Sequence, residues 1–214
     1  FYSKGDSRVF HSKQSAPDAV PVTFFKEFDS GITALGKIRN YCIAFERNRC
    51  SRLEGAVDDL GRGSIEKRII SDQLGCFWFN AIVEVDKEIF LASKDGIYKT
   101  DGFSVMKVTS HLNARYKQLV QSLSQERAVE AIHDSIGRRL YFSFNTKIDQ
   151  SVSNSEDTPA KMVSWVIDLN YPIEMEMATI TEYVYDRETT QADTESFGSR
   201  ITANAFANGE HFTA

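Results

Sequence analysis

The chain has 214 residues, a formal net charge of −5 at pH 7, and 15 Phe, 8 Tyr and 2 Trp. This length allows a sizeable core in one large domain or two small ones, and the many aromatic residues favour a β-rich interior. The negative charge argues against wholesale nucleic-acid binding, which needs concentrated Lys and Arg. No apolar run approaches the roughly 20 residues needed to cross a bilayer, so no membrane segment is predicted.

The cysteines are an odd set of three, Cys42, Cys50 and Cys76, with no C-x-x-C pair. This pattern favours reduced thiols used in packing over a zinc ligand set or a secreted disulfide framework. Because the chain begins at Phe1, within sequence that already resembles a folded domain, we expect residues 1–214 to be a fragment of a longer protein.

Residues 1–28 predict a partial unit at the start of the chain. Arg8–Ser12 is a short strand candidate, and Val22–Phe28 has strand-like composition. Between them, Lys13–Pro21 contains two prolines in five residues, which excludes a ladder strand and favours an extended or turn-rich connection.

Residues 32–70 predict a first four-stranded unit. Its strands are Ile32–Leu35, Tyr41–Phe45, Arg49–Leu53 and Ile65–Ile70, with turns at Gly36-Lys37 and Glu46-Arg47-Asn48 and with Gly55 closing the third strand. The alternation within Tyr41–Glu46 places Tyr41, Ile43 and Phe45 on one face of the second strand. Gly61-Arg62-Gly63-Ser64 is interpreted as a loop, because a phosphate-binding loop needs a strand–loop–helix context that is missing here.

Residues 81–108 predict a second unit, and it has the clearest pattern in the chain. The strand candidates are Ala81–Val85, Ile89–Ala92, Ile97–Tyr98 and Phe103–Val108. Tight polar turns separate them, and two of these turns contain an Asp-Gly pair, at Asp95-Gly96 and Asp101-Gly102. Such pairs favour hairpins because glycine accepts the positive φ that narrow turns need.

One short helix is predicted between the second and third units. Ser110 is the expected N-cap, and an apolar stripe follows at helical spacing. The stripe consists of Leu112, Tyr116, Leu119, Val120 and Leu123. We expect it to pack against a sheet.

Residues 128–180 predict a third unit, and residues 201–214 a final partial one. The strands of the third unit are Val129–His133, Leu140–Phe144, Met162–Leu169 and Glu174–Ile180, with an exposed polar insertion at 145–160. The insertion has almost no apolar content with which to offset the entropy of ordering. In the last unit, Ile201–Phe206 and His211–Thr213 predict a hairpin, whereas residues 186–199 are polar and loop-like.

These units form an internal repeat. Ala34, Ala81 and Ala131 lie in first strands, with Ala203 as a candidate fourth, and Phe45, Phe90 and Phe142 lie in second strands. The first-strand alanines recur at intervals of 47 and 50 residues, a period typical of propeller blades, whose inner strands are crowded and carry small residues. The predicted fold is therefore all-β, a partial β-propeller of four-stranded antiparallel blades with one short helix between blades. A β-sandwich is the main competitor.

An ordered series of motifs carries a family resemblance over roughly residues 8–145. The series is Arg8–Ser12, Ala16–Pro21, Gly31–Leu35, Tyr41–Phe45, Leu53–Gly55, Gly75-Cys76, Phe90–Tyr98 and Asp101-Gly102. It resembles the propeller region of the tail nozzle (tail tubular protein B) of short-tailed bacteriophages and of the related packaged-DNA stabilisation proteins. The polar insertion at 145–160 departs from a compact blade.

This resemblance implies a structural virion protein and not an enzyme. The implied partners are copies of the chain itself in a ring, hexameric by resemblance, together with neighbouring tail or portal-adaptor proteins and tail fibres. Double-stranded DNA would pass through the channel of the ring without sequence-specific binding. The implied location is the virion tail, after assembly in the host cytoplasm.

The sequence predicts no catalytic residue, no cofactor-binding residue and no metal ligand. Ser93-x-Asp95-Gly96 is similar to the Asp-box of sialidase-type propellers, but Asp and Gly are adjacent here, which favours a plain hairpin. The histidines are widely separated, at His11, His111, His133 and His211, and His133-Asp134 lacks a nucleophile elbow to complete a triad.

An acidic segment is interpreted as a solvated strand face; it comprises Glu174, Glu176, Glu182, Asp186 and Glu188. A paired-carboxylate glycosidase would need two of these residues to face each other across a cleft. Two alternative functions therefore stay open. One is a carbohydrate-active propeller enzyme of glycosidase or lyase type, and the other is a propeller that serves as a protein- or glycan-binding platform.

Overall fold

Three four-stranded antiparallel sheets are the main elements of the described structure. The computed structural model describes residues 5–13, 16, 18–57, 63–79, 81–123, 129–145, 161–173, 176–186, 204–207 and 210–213. Each of the three sheets is a meander whose spatial strand order equals the order along the chain. Two two-stranded sheets stand before and after them, and one α-helix is present in the described part, so the all-β prediction is confirmed.

The bounds of the elements are as follows. The N-terminal pair is β1 (Arg8–Phe10) and β2 (Phe25–Glu27), and the first sheet is β3 (Ile32–Ile38), β4 (Tyr41–Glu46), β5 (Cys50–Val57) and β6 (Gly63–Ser71). The second sheet is β7 (Ile82–Val85), β8 (Glu88–Ser93), β9 (Gly96–Thr100) and β10 (Val105–Lys107). A 3-10 turn (Ser110–Leu112) leads into helix α1 (Asn113–Gln121).

The third sheet is β11 (Val129–Asp134), β12 (Arg139–Asn145), β13 (Lys161–Asp168) and β14 (Ile180–Asp186). The C-terminal pair is β15 (Asn204–Ala207) and β16 (Glu210–Thr213). One four-stranded sheet begins in each of the predicted units 32–70, 81–108 and 128–180, but the last strand of the third sheet extends beyond residue 180, to Asp186. Most of the predicted insertion, residues 146–160, lies outside the described residues, as do 187–203.

Two glycines of the first sheet do not have the predicted roles. Gly36-Lys37 was expected to form a turn, but both residues belong to β3, and the turn is Arg39-Asn40, where Arg39 has a φ of 54°. Gly55 was expected to end the third strand, but β5 continues to Val57. A Cβ at Gly55, where φ is 105°, would overlap the carbonyl oxygen of Ser64 on β6, so the close approach of that strand requires glycine.

Other boundaries differ from the prediction as well. Gly63 and Ser64 belong to β6 and not to a loop, and in Val22–Phe28 only Phe25–Glu27 is a strand. The last strand of the third sheet is Ile180–Asp186 and not Glu174–Ile180. Within Glu174–Ile180, Met177 instead forms an isolated bridge with Thr109, which follows the last strand of the second sheet.

The predicted N-cap of the helix is also wrong. Leu112 occupies the N-cap position of α1 with no side-chain cap, and Ser110 lies in the preceding 3-10 turn. The hydroxyl of Ser110 donates to Glu176 Oε2 at 3.0 Å. The helix nevertheless buries Tyr116 and Leu119, two members of the predicted stripe.

The core lies mainly between the sheets. One apolar cluster runs through all three sheets and the helix, and it includes Ile43 and Phe45, with Tyr41 packed against its edge. This confirms the predicted face of the second strand. The opposite face of the first sheet carries a smaller cluster of Val9, Phe28, Ile32, Ala44 and Leu53. The first sheet is therefore covered on both faces, with residues of the N-terminal segment packed on one of them.

The first strands of successive sheets lie side by side. β3 contacts β7, β7 contacts β11, and β11 contacts β15. The repeated alanine–phenylalanine pairs lie in these first strands and their partners, because Ala34 opposes Phe45 and Ala131 opposes Phe142. In the second sheet Val83 opposes Phe90, whereas Ala81 precedes β7 and its carbonyl accepts from Ala92 N at 2.8 Å. The counterpart of Ala34 in the second sheet is thus Val83 and not Ala81.

Candidate functional site

The three histidines whose side chains are described, His11, His111 and His133, belong to no common metal-binding group. His11 stacks on Phe24 with ring centroids 5.1 Å apart, His111 is exposed in the 3-10 turn, and His133 is half-buried on β11. The side chain of His211 lies outside the described residues. Across the described ranges, no group of three His, Cys, Asp or Glu side chains is placed to hold a metal ion.

Asp134, the neighbour of His133, binds the backbone of the turn that follows it. Its Oδ1 accepts hydrogen bonds from the backbone N–H groups of Ile136 and Gly137, both at 3.0 Å. A carboxylate that accepts two backbone N–H groups stabilises a tight turn between strands. The observed role of Asp134 is therefore to hold the β11–β12 connection.

The Asp-box-like turn is tied to its own sheet. The hydroxyl of Tyr98 donates to Asp95 Oδ2 at 2.8 Å, and Lys107 Nζ donates to the carbonyl of Asp95 at 2.7 Å. Burial, together with Asp95, raises the pKa of Tyr98. Gly96 does not have a positive φ, so the turn conformation does not require glycine there; a Cβ would meet Cε of Lys107, in a flexible side chain.

The cysteines have packing roles. Cys42, Cys50 and Cys76 carry free thiols, as predicted. Burial raises the pKa of Cys50 and of Cys76 to about 12, so both are neutral at physiological pH and poor nucleophiles. Cys76 also contacts the carbonyl of Trp78, with Sγ 2.9 Å from the oxygen.

A polar and aromatic junction joins the second sheet to the third through the helix. Tyr116 is fully buried, and its hydroxyl donates to the carbonyl of Ser93 at 2.5 Å. The Tyr116 ring lies 5.7 Å from Phe144 and 5.6 Å from Trp165, centroid to centroid. One side chain thus contacts the end of β8 and the centre of the third sheet.

Glu182 also belongs to this junction around Tyr116, which we call the helix junction. Its carboxylate accepts Arg115 Nη2 at 2.6 Å, Arg115 Nε at 3.0 Å and Trp165 Nε1 at 2.8 Å. Glu182 is exposed, as predicted for the acidic segment, but its oxygens are committed to these bonds. Sequence reasoning missed this pairing, because it depends on the β13–β14 register that sets Trp165 opposite Glu182. The side chains of Glu174, Asp186 and Glu188 lie outside the described residues.

A cationic junction joins the first sheet to the second. The Arg52 guanidinium lies 4.7 Å from the Tyr41 ring centroid and 4.0 Å from that of Phe103. Its Nη1 donates to the carbonyl of Gly102 at 3.0 Å, and its Nε donates to Glu54 Oε1 at 2.6 Å. Desolvated cation–π contacts of this kind contribute up to about 2 kcal/mol. The Asp101-Gly102 turn therefore docks the second sheet onto the first.

Buried polar atoms without partners are few among the described side chains. Glu46 Oε1 accepts the N–H and the hydroxyl of Ser30, at 2.7 and 2.8 Å, whereas Glu46 Oε2 and Ser51 Oγ are buried without a hydrogen-bond partner. Both side chains belong to the first sheet, beneath the N-terminal segment. Both atoms are thus buried in the interior of the protein.

Chemically, the observed clusters can hold sheets together. The charged and hydroxyl groups at the junctions between sheets are bound to each other or to backbone, and the buried thiols are neutral. Neither a scan against protein-family models nor a search of curated proteins returns a match. Within the described part of the chain, no helix is long and apolar enough to span a membrane.

The helix junction makes stability depend on pH. The hydrogen bonds from Arg115 hold the pKa of Glu182 below its ordinary value of 4.5. The stability that the ionised Glu182 carboxylate contributes is therefore fully present above pH 4.5, and it is lost as the pH falls through the lowered pKa. We expect Glu182→Gln to lower the free energy of unfolding by about 1 kcal/mol at pH 7, since the group is partly solvated.

Urea unfolding of both proteins from pH 7 down to about pH 3 measures this difference, which should shrink below the ordinary carboxyl range near pH 4.5. The matched control is Glu66→Gln, because Glu66 forms an exposed ion pair with Arg68. A Glu182→Gln difference that stays constant over the whole range would contradict the assignment.

Proposed function

We propose that this chain is the propeller region of a structural protein in the tail of a short-tailed bacteriophage, assembled with copies of itself in a ring around the DNA exit channel. The observation that carries the proposal is the succession of first-strand contacts from β3 to β7, β11 and β15. It agrees with the fold that the ordered motif series implies.

The propeller arrangement accounts for several features that a sandwich does not. The three four-stranded meanders share one continuous core, and the first strand of each is an edge strand, which a propeller would place innermost. Ala34 and Ala131 occupy these first strands, where neighbouring sheets approach most closely. The two-stranded pairs β1–β2 and β15–β16 correspond to the partial units at either end.

The junctions between sheets support an architectural role. Arg52 and Tyr116 each contact two sheets, and Glu182 fastens the helix to the third. These are the kinds of side chain that would otherwise serve binding or catalysis, and here they are engaged in contacts between elements. A rigid propeller of this kind suits a component that must keep its shape in an assembly.

A ring forms through heterologous contacts between copies, and the ring closes when the rotation between neighbouring copies divides a full turn. By resemblance the ring is hexameric, it contacts neighbouring tail or portal-adaptor proteins, and tail fibres are further candidate partners. Double-stranded DNA passes through without sequence-specific binding. The chain is then located in the virion tail after assembly in the host cytoplasm.

Light scattering and negative-stain imaging of the purified protein test this proposal. We expect concentration-dependent rings of uniform size and no release of reducing sugar from a panel of bacterial polysaccharides. The matched variants Glu176→Gln and Glu182→Gln control the second measurement, since both residues belong to the acidic segment.

A discrete monomer that hydrolyses a polysaccharide, with activity lost in either variant, would replace the proposal by the enzyme alternative. A monomer without hydrolysis that binds a protein or a glycan would favour the binding platform.

A further inference from the structure

The first sheet buries two polar atoms that have no hydrogen-bond partner among the described residues. They are Oε2 of Glu46, at the end of β4, and Oγ of Ser51, in β5. Glu46 is 1% exposed, and Ser51 is completely buried. A buried polar atom without a partner destabilises the folded state, and nearly all such atoms in folded proteins are bonded to protein or to ordered water. Two of them in one sheet therefore call for an explanation.

The strand register places both side chains on one face of the sheet. Ala44 lies opposite Ser51 in the β4–β5 ladder, and Glu46 follows two residues after Ala44. Residues two apart in a strand share a face, so Glu46 and Ser51 are diagonal neighbours, with Cα atoms about 7–8 Å apart. At this separation the two side chains can reach a common point between them. The small side chain of Ala44 leaves room beside Ser51.

This face of the sheet is the one that the N-terminal segment covers. Val9 and Phe28 of that segment belong to the same apolar cluster as Ala44. Ser30, which follows the segment, binds the other oxygen of Glu46 through its N–H and its hydroxyl, at 2.7 and 2.8 Å. Since Oε1 already accepts two hydrogen bonds, a further partner of the Glu46 carboxylate must bind at Oε2.

Neither a cationic side chain nor a metal ion suits this position. Arg49 and Lys67 both pair with Asp29, and Glu46 forms no ion pair within the described part of the chain. A hard divalent cation takes about six to eight oxygen ligands, and no described group of three His, Cys, Asp or Glu side chains could hold one. A water molecule needs only two to four polar partners, and Glu46 and Ser51 supply two.

We propose that one buried water molecule bridges Glu46 Oε2 and Ser51 Oγ. The water donates a hydrogen bond to the carboxylate and accepts one from the Ser51 hydroxyl. Two hydrogen bonds of about 2.8 Å at one water oxygen span about 4.5 Å, a length that suits a diagonal pair. The bridge joins β4 to β5 at the point where Ser30 attaches the N-terminal segment, so Glu46 links all three. This inference does not depend on the proposed function.

Two replacements of Ser51 that match each other in shape test the bridge. Ser51→Asn extends the side chain into the position of the water, and its amide N–H can donate to Glu46 Oε2 directly. Ser51→Leu has nearly the same shape and no donor. In urea unfolding, we expect the unfolding equilibrium constant to rise by less than about threefold for Ser51→Asn and by at least about tenfold for Ser51→Leu, which leaves a buried carboxylate oxygen without a partner.

Ser143→Asn and Ser143→Leu are the matched controls in the third sheet. Ser143 is 2% exposed, and its hydroxyl oxygen lies 3.0 Å from that of Ser164, so it has a direct partner. Asparagine replaces no water there and should be tolerated no better than leucine. A Ser51→Asn protein that is destabilised as much as Ser51→Leu would refute the bridge.

A crystal structure of the wild-type protein at about 1.5 Å resolution gives a second measurement that depends on no variant. We expect one ordered water within about 2.7–3.2 Å of both Glu46 Oε2 and Ser51 Oγ. A direct hydrogen bond between the two side chains, a separate water on each atom, or no water at either would overturn the inference. An ion with about six short oxygen contacts at this position would also overturn it, because the site would then belong to a metal.

Discussion

Replacing Trp165 by alanine is expected to lower the free energy of unfolding by about 3–5 kcal/mol, the range found for large aromatic truncations in cores. Trp165 is fully buried, and its ring lies 5.7 Å from Phe144 and 5.6 Å from Tyr116. Its indole N–H also donates to Glu182. The substitution therefore opens a cavity at the helix junction, where the second and third sheets meet, and removes a hydrogen bond to a carboxylate.

Urea unfolding, followed by the backbone circular dichroism signal because that signal does not depend on the replaced tryptophan, measures this loss. Trp165→Phe separates the two contributions, because it retains most of the packing and removes only the bond to Glu182. Tyr183→Ala is the matched control on the neighbouring strand, where the side chain is 47% exposed and truncation should cost less than about 1 kcal/mol. A Trp165→Ala effect no larger than that of Tyr183→Ala would show that the junction is not part of the stable core.

Replacing Gly75 by alanine is expected to destabilise the protein by about 3 kcal/mol, the upper part of the usual range for overpacking. Gly75 lies in the connection between the first and second sheets. A Cβ there would overlap the carbonyl oxygen of Glu46 and lie 2.7 Å from Arg49 N and 2.8 Å from Arg47 C. All three atoms are backbone, so relief requires the β4–β5 turn to move.

The comparison variant is Gly102→Ala, where the backbone conformation and not a steric overlap opposes the substitution. Gly102 has a φ of 87°, but a Cβ there would meet only side-chain atoms at 3.5 Å or more. Its substitution should cost about 1 kcal/mol from backbone conformation alone. Thermal and urea unfolding of both variants show which one loses more stability. A Gly102→Ala effect larger than that of Gly75→Ala would contradict the packing explanation.

The hairpins were predictable because their signals are local. Alternation within Tyr41–Glu46 and the Asp101-Gly102 pair each depend on a few consecutive residues, and both predictions are confirmed. The same holds for the C-terminal hairpin, whose strands pair as Asn204–Ala207 with Glu210–Thr213. Strand boundaries were less accurate where a glycine was taken as a turn signal.

Gly36 shows why such errors occur. A Cβ at this position would overlap Ile89 Cδ1 of the second sheet, so glycine is present to let a neighbouring sheet approach and not to form a turn. A glycine that serves a contact between distant residues looks the same in sequence as one that serves a turn.

The candidate junctions were predictable only in part. The apolar stripe of the helix correctly indicated that it packs on a sheet, and Tyr116 belongs to that stripe. The partners of Arg52 and Glu182 could not be inferred, since each contact joins residues from different sheets or elements. The spacing of Ala81 also misled the alignment of the second sheet, where Val83 holds the equivalent place.

The sequence by itself determined that the chain is β-rich, that it forms hairpins in three repeated units, and that one short helix follows the second unit. Composition, alternation and turn residues suffice for that, because they act over a few neighbouring positions. Only the tertiary structure decided which glycines admit a neighbouring strand, which carboxylate holds the helix, and which turn Arg52 binds. Those outcomes depend on the packing of sheets across tens of residues, which no local pattern encodes.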